Sequence, residues 1–292
     1  MEQCVYSSQA NRLLQNRQPL MESAVIQRQY DDVIATQYDQ DPQNTTGKSL
    51  DRALNHLEEE GLFSGVLPAM RVLDIGMGTG MFLEKLRNRS QRTIEPWGID
   101  ISQQMAAIAH KKLPDLVSSI DDGANLDQHF CDERFDMVAT HFVTGFVPIE
   151  HIAPRIFAKL DAGGVWSFVG GTTAGYKELQ RRAAHPLLKL LFGGKAPDLQ
   201  GMICPINERE VVAVLEKNGF EILTSETFEP ELRFPDFNTF IDYGYHGGWL
   251  TPFIEDLGLH KAKKWQQAII NKLVFPVVDH HSIVLALARR RA

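Results

Sequence analysis

Three cysteines in 292 residues, at positions 4, 131 and 204, are too few and too scattered for a disulfide framework or a cysteine metal site. Reduced thiols of a cytoplasmic protein are the expectation. Basic runs are also missing. The net charge is −7, and the only cluster of arginines, Arg289–Arg291, sits at the extreme end, which argues against nucleic acid as a partner. Apolar runs such as 283–288 are far too short to span a bilayer, so no membrane partner is expected. No apolar core of a signal peptide stands near residue 1. There is no internal repeat and no low-complexity tract. What remains is an ordinary globular composition, 43% hydrophobic and 23% charged. The length suits one domain with insertions, or two.

The chain is organised around residues 71–86. Arg71–Ile75 read as a short buried strand carrying an acid, Asp74. Gly76, Gly78 and Gly80 follow at every second position, and Met81–Leu86 begins a helical pattern with apolar residues at 82, 83 and 86. Strand, glycine turn and helix make the first half of a βαβ unit. Glycines let a ligand approach the backbone, and the helix start directs free N–H groups at it. A dinucleotide fingerprint would need G-x-G-x-x-G. Here the third glycine comes one residue early, and position 81 is Met. Asp74, two residues before the first glycine, would repel a pyrophosphate but suits a ligand with positive charge. Twenty residues after Gly80, Trp97–Asp100 reads as a second strand ending in an acid, at the spacing of a carboxylate that binds ribose hydroxyls.

These residues together resemble motif I and its partner acid in the class I, Rossmann-like methyltransferases that use S-adenosylmethionine (SAM), of the small-molecule type. SAM carries an ammonium and a sulfonium and no phosphate. The resemblance implies an α/β fold with a doubly wound, mostly parallel sheet of seven strands, the last antiparallel between the fifth and sixth. It covers roughly residues 67–228 and 279–290. It implies that Asp74, Gly76, Gly78 and Gly80 hold the methionine end of SAM and Asp100 the ribose. Asp122, Gly123 and Ala124, in the turn Asp122–Leu126 after the third strand, would hold the adenine, with Asp121 the alternative acid. Ile101, Met105, Thr140, Tyr30 and Tyr38 complete the expected cofactor set.

The remaining elements follow from local pattern. Residues 1–66 are expected to form an N-terminal helical segment, helical from Met21 to Tyr38, then a loop over 39–47 and a helix over 50–60 capped by Ser49. In many small-molecule members of the family such a segment is a lid, though it could equally cover the sheet edge. Residues 67–292 form the SAM-binding catalytic domain. Its strands are expected at 71–75, 94–100, 116–120, 135–140, 165–169, 220–228 and 282–288. Strand–helix alternation of this kind predicts a doubly wound sheet. Two insertions, 171–206 and 229–278, would form a substrate cap, the first with one helix over 176–191. Both leave carboxyl ends of strands, where open α/β sheets bind ligands.

Methyl transfer needs alignment and water exclusion more than acid–base help. A base is required only if the acceptor must lose a proton, and histidine suits neutral pH. His141, just past the fourth strand beside Thr140, Phe142 and Val143, is the expected catalytic residue. His246, His280 and His281 rank second, the last two placed with Asp279 at the pocket edge by topology. Tyr243, Tyr245 and Trp249, with Phe234 and Phe237, offer an apolar wall for a flat acceptor, or else the cap's own core. Metal-dependent catechol-type relatives carry acids after the fourth strand; Thr-His-Phe-Val stands here, so no metal is expected. The nucleic-acid signature N/D-P-P-Y/F is absent. The expected activity is methylation of an O or N atom, less readily C, of a small metabolite or natural product. The alternatives are a SAM-binding enzyme that does not methylate, such as a cyclase, or an inactive interaction module; the intact Asp74, glycines and Asp100 speak against the module.

Overall fold

The computed structural model describes residues 22–64, 68–194 and 203–291. Its centre is a seven-stranded sheet. The strands are β1 (Met70–Ile75), β2 (Ile94–Asp100), β3 (Val117–Ile120), β4 (Phe135–His141), β5 (Leu160–Gly171), β6 (Phe220–Phe228) and β9 (Ile283–Arg290), in the order β3-β2-β1-β4-β5-β9-β6. All neighbours pair in parallel except β9, which is antiparallel to both β5 and β6. The strand β1 is buried along nearly its whole length, Asp74 included. That is why it reads as a continuous apolar run rather than an alternating one.

Helices cover both faces. On one side α5 (Ile149–Lys159) and α8 (Glu208–Lys217) pack Ile152, Ile156, Val211 and Leu215 against Trp166, Phe168 and Phe220. On the other, α2 (Thr45–Glu59), α3 (Met81–Arg89) and α4 (Gln103–Lys112) bury Leu54, Phe82 and Ala109 against Val72, Met137 and Leu287. Each large apolar side chain buried here is worth roughly 1.5–3 kcal/mol.

Several boundaries differ from those read in the sequence. The N-terminal helix α1 (Ser23–Gln29) passes into a π turn, Tyr30–Ile34, instead of running to Tyr38. The next helix, α2, starts five residues early. Its free N–H groups are taken by Asp41, whose Oδ1 accepts from Thr45 N (2.9 Å) and Oδ2 from Gly47 N (2.7 Å). Ser49 is not the cap; its Oγ donates back to Thr45 O (2.8 Å) inside the helix. The expected helix over 176–191 is two, α6 (Lys177–Ala183) and α7 (Pro186–Leu191), because Pro186 begins a helix rather than continuing one. The second insertion contains two strands that the sequence reading missed, β7 (Glu231–Phe234) and β8 (Val277–His280), paired antiparallel. This ribbon closes the base of α9 (Phe237–Ile241), α10 (Thr251–Asp256) and α11 (Lys264–Val274). The expectations for residues 1–21, 65–67 and 195–202 lie outside the described residues.

The register explains how the insertions gather at one edge. Gly171 at the end of β5 and Phe228 at the end of β6 both stand opposite Ile283, the first residue of β9. The reversal of β9 therefore brings both insertions to one corner of the sheet.

Gly80 shows the tightness of the turn after β1. Its φ is +75°, and an added Cβ would lie 3.1 Å from the Ala109 Cβ of α4. Gly80→Ala is expected to lower the unfolding free energy by about 1–2 kcal/mol, the cost of left-handed backbone in an L-residue. The shift of the urea midpoint at constant slope measures it.

Candidate active site

The glycine turn and the ends of β1, β2 and β4 enclose a cavity of about 1240 Å3 of empty space, its open mouth included. Gly76, Gly78, Asp100, Ile101, Met105, Asp122, Gly123 and Ala124 line it, together with His141, Phe142 and Val143. Gly76 has φ +70°, and an added Cβ would stand 2.5 Å from Val143 Cγ2, so the turn permits no side chain there. Three expected residues do not reach the cavity surface. Asp74 lies beneath it, 2% exposed. Gly80 faces α4. Thr140 is fully buried, its Oγ1 accepting from Trp166 Nε1 (2.8 Å).

Asp100 is held from two sides. Its Oδ2 accepts from Gly78 N and its Oδ1 from Ser102 N, both at 2.8 Å. Burial raises its pKa to about 6, against the lowering effect of those two bonds, with the nearby Asp31 charge adding to the rise. Asp74 is raised well above the usual carboxylate range, chiefly by burial and then by Asp100. Its Oδ1 has no hydrogen-bond partner among the described residues. Asp121 and Asp122 separate clearly. Asp121 is engaged by His129 (2.7 Å) and Asn125 (2.9 Å). Asp122 caps the next turn through Ala124 N (2.9 Å) and faces the cavity.

The N-terminal segment crosses the mouth. Ser23 Oγ donates to Asp122 Oδ2 (2.7 Å). Asp31 accepts from Ser102 Oγ (2.6 Å) and Gln104 N (3.0 Å), at the start of α4. Asp39 accepts from Thr79 Oγ1 and from Lys112 Nζ, both at 2.6 Å. Tyr30 and Tyr38 line the cavity from above. Ser23, Asp31 and Asp39 were missed from sequence, where no pattern marks a contact across so many residues.

A second chamber adjoins the first, sharing Tyr30, Tyr38, Phe142 and Phe146 with it. Its far side is built by Gly171, Thr172, Tyr176, Trp249 and His281. Phe142, at φ +62°, turns the chain after β4 and meets Trp249 edge-on at 4.7 Å. Tyr176 is also left-handed, at φ +56°. Trp249 stacks on Tyr243 (5.8 Å) and meets His281 edge-on (4.9 Å). Behind this wall runs a polar chain: Tyr176 Oη to Tyr243 Oη (2.9 Å), and Tyr243 Oη to His281 Nδ1 (3.2 Å).

The histidines divide accordingly. His141 lines the first cavity; its Nε2 meets Ser167 Oγ (3.0 Å), its ring abuts Phe82, and its Nδ1 has no partner among the described residues. His281 lines the second chamber, and an alanine at Gly171 would place its Cβ 2.8 Å from His281 Nε2. Burial lowers both to a pKa of about 3, so both are neutral at pH 7. His280 is exposed, one residue away on the opposite face. Asp279 turns inward to accept from Leu179 N (2.6 Å) at the start of α6. Tyr245 bonds Glu255 (2.8 Å) and stacks on His260, away from the chamber. His246 pairs with Asp242 (3.0 Å) and borders a separate polar recess. Tyr243 stands behind Trp249, and Phe234 and Phe237 belong to the cap's own core.

Residues 72–164 match the family model for a methyltransferase domain. That stretch resembles a methyltransferase domain, and the seven-stranded sheet around it has the class I methyltransferase fold. Among solved structures, the fold resembles a methyltransferase from Bacillus halodurans C-125 (TM-score 0.54, 16% identity, 82% of this chain and 99% of that one). It also resembles the YcgJ protein of Bacillus subtilis (TM-score 0.54, 14% identity, 83% and 99%). A curated relative, the ubiquinone/menaquinone biosynthesis C-methyltransferase UbiE of Laribacter hongkongensis, is 36% identical over 83 residues, 27% of this chain and 33% of that enzyme. The match thus spans about a third of the length of that relative.

The methyltransferase cavity fits SAM on its own chemistry. Two acids, Asp100 and Asp122, and no lysine or arginine line it, which favours a cation over a phosphate. The bare backbone at Gly76 and Gly78 allows close approach. Among the described residues, no helix is long and apolar enough to cross a membrane.

Asp100→Ala is expected to weaken SAM binding at least tenfold in calorimetric titration at pH 7.5, with the fold retained by circular dichroism. In the wild type, SAM affinity should fall as pH drops through about 6, where Asp100 takes up a proton, and level off above it. An affinity independent of pH across this range would show that Asp100 stays ionised throughout.

Proposed function

We propose that this protein transfers the methyl group of SAM to an oxygen or nitrogen atom of a small organic acceptor held in the aromatic chamber. The observation that carries this reading is the shared wall. Two chambers that both touch Tyr30, Tyr38, Phe142 and Phe146 lie side by side, so a donor in one would neighbour an acceptor in the other. On the donor side, the turn at Gly76 and Gly78, with Asp74 buried behind it, would face the methionine end, Asp100 with Ile101 and Met105 the ribose, and Asp122 with Gly123 and Ala124 the adenine. The segment bearing Tyr30 and Tyr38 would serve as a lid, tied down by the bonds from Ser23, Asp31 and Asp39.

The reaction is an in-line displacement. SAM held in the donor cavity would supply an electrophilic methyl group with a neutral thioether as leaving group, and the acceptor's proton would pass to water. Aromatic walls keep water from competing and hold the acceptor in line. On the acceptor side, His281 is the better-placed polar group; His141, beside Phe82 and Ser167, reads as a wall of the donor cavity. In the tautomer whose Nδ1 donates to Tyr243, the Nε2 of His281 accepts from an O–H or N–H group. A neutral imidazole of low pKa aligns that group more than it deprotonates it, which suits an acceptor that sheds its proton late.

The test uses purified protein, SAM labelled in its methyl group, and a panel of phenols, amines and carboxylic acids. Label should appear in product in step with S-adenosylhomocysteine. Gly171→Ala, which crowds His281 Nε2, should raise the KM for the acceptor about tenfold and leave SAM binding unchanged. His281→Ala should lower kcat by roughly tenfold to hundredfold, at or below the range of acid–base catalysis. SAM binding with no transfer to any member of the panel would count against methylation of this class of acceptor.

A further inference from the structure

The cap contains a second cavity that the proposed reaction has not used. It offers about 560 Å3 of empty space, partly open to solvent. Leu188, Phe240, Leu250, Phe253, Ile270 and Val274 line it, and its accessible lining is wholly apolar. Of its lining residues only Gln180 and Tyr176 have polar side-chain groups, and both are turned elsewhere. Gln180 Nε2 donates to Gly175 O (2.9 Å), and the Tyr176 hydroxyl bonds Tyr243.

A void among hydrocarbon side chains forfeits their contacts. The cavity is also not sealed. The short helix α7 sends Leu188 into the lining and leaves Leu187 (56% exposed) and Leu190 (78% exposed) on the surface beside it.

Tyr176 joins the two spaces. It lines the aromatic chamber and the apolar cavity alike. Its hydroxyl belongs to the polar chain that ends at His281, and its ring borders hydrocarbon. Its left-handed backbone is a conformation that costs free energy in a residue with a side chain, and such residues persist where function retains them. The arrangement is polar at one end, aromatic in the middle and purely apolar at the other end.

We infer that the acceptor is an amphiphile, a small polar or aromatic head carrying a hydrocarbon chain, with the head against His281 and the chain past Tyr176 in the cap. The inference rests on the reading of the aromatic chamber as the acceptor site. It narrows the substrate class from any small metabolite to lipid-like molecules.

The experiment titrates the full-length protein with a series of para-alkylphenols, from phenol through the ethyl, butyl, hexyl and nonyl compounds, following tryptophan fluorescence with and without S-adenosylhomocysteine. Affinity should rise roughly three- to fourfold per added CH2 group, the transfer free energy of a buried methylene, until the cavity is full. Ala183→Phe, which narrows the cavity from α6, should abolish the increment and leave binding of phenol and of S-adenosylhomocysteine unchanged. A flat series in the wild type overturns the inference whatever the variant does. So does an increment that survives undiminished in a folded Ala183→Phe protein. Absence of cofactor binding would instead strike the methyltransferase reading, and the cofactor-free series would still decide the cavity.

Discussion

Two carboxylates buried at the ends of adjacent parallel strands set the terms for this structure. Asp74 and Asp100 are 2% and 8% exposed, Asp100 raises the proton affinity of Asp74, and one oxygen of Asp74 has no partner among the described residues. Burying such charges is costly unless something offsets it. The backbone amides of Gly78 and Ser102 offset part of it for Asp100. A cationic ligand would supply the remainder, and so the place of greatest electrostatic cost is also the place of greatest affinity. The glycine turn follows from the same constraint, since only bare backbone lets both the amides and a ligand come close to these acids.

Around that fixed point the parallel sheet is conventional, and the variable material is collected by one reversal. Because β9 runs against β5 and β6, Gly171, Phe228 and Ile283 lie together, and two insertions far apart in sequence build one cap. The cap has its own core, its own two-stranded ribbon and its own cavity. Under the proposed function, substrate recognition would fall to a part that can change without disturbing the acids beneath the glycine turn.

Much of this was legible in the sequence, and the limits have physical causes. The glycine turn and the acids at 74 and 100 follow from local spacing, which a chain carries in plain view, while the order of strands and Asp122 came from the family resemblance. Side-chain direction does not. His280 and His281 are neighbours, yet strand alternation exposes one and buries the other at the chamber. Tyr243 and Tyr245 share a π turn, and its winding sends the first toward His281 and the second toward Glu255. Thr140 fell on the face of β4 that meets Trp166, not the cavity. Contacts such as Ser23 with Asp122 join residues with no shared periodicity at all. The cap's ribbon was missed because strands of four residues carry too short an alternation to stand out.

The wall common to the two chambers has a thermodynamic consequence. Tyr30, Tyr38, Phe142 and Phe146 border both chambers, so a ligand that ordered them in one would order them for the other. Whatever conformational freedom the first ligand removes from them no longer opposes the second. Linkage makes this exchange symmetric: the factor by which donor sharpens affinity for acceptor equals the factor by which acceptor sharpens affinity for donor. Under the proposed reaction the spent cofactor keeps most of the donor's contacts, so it retains a share of that coupling. Turnover would then be governed by the parting of the products as much as by the transfer itself.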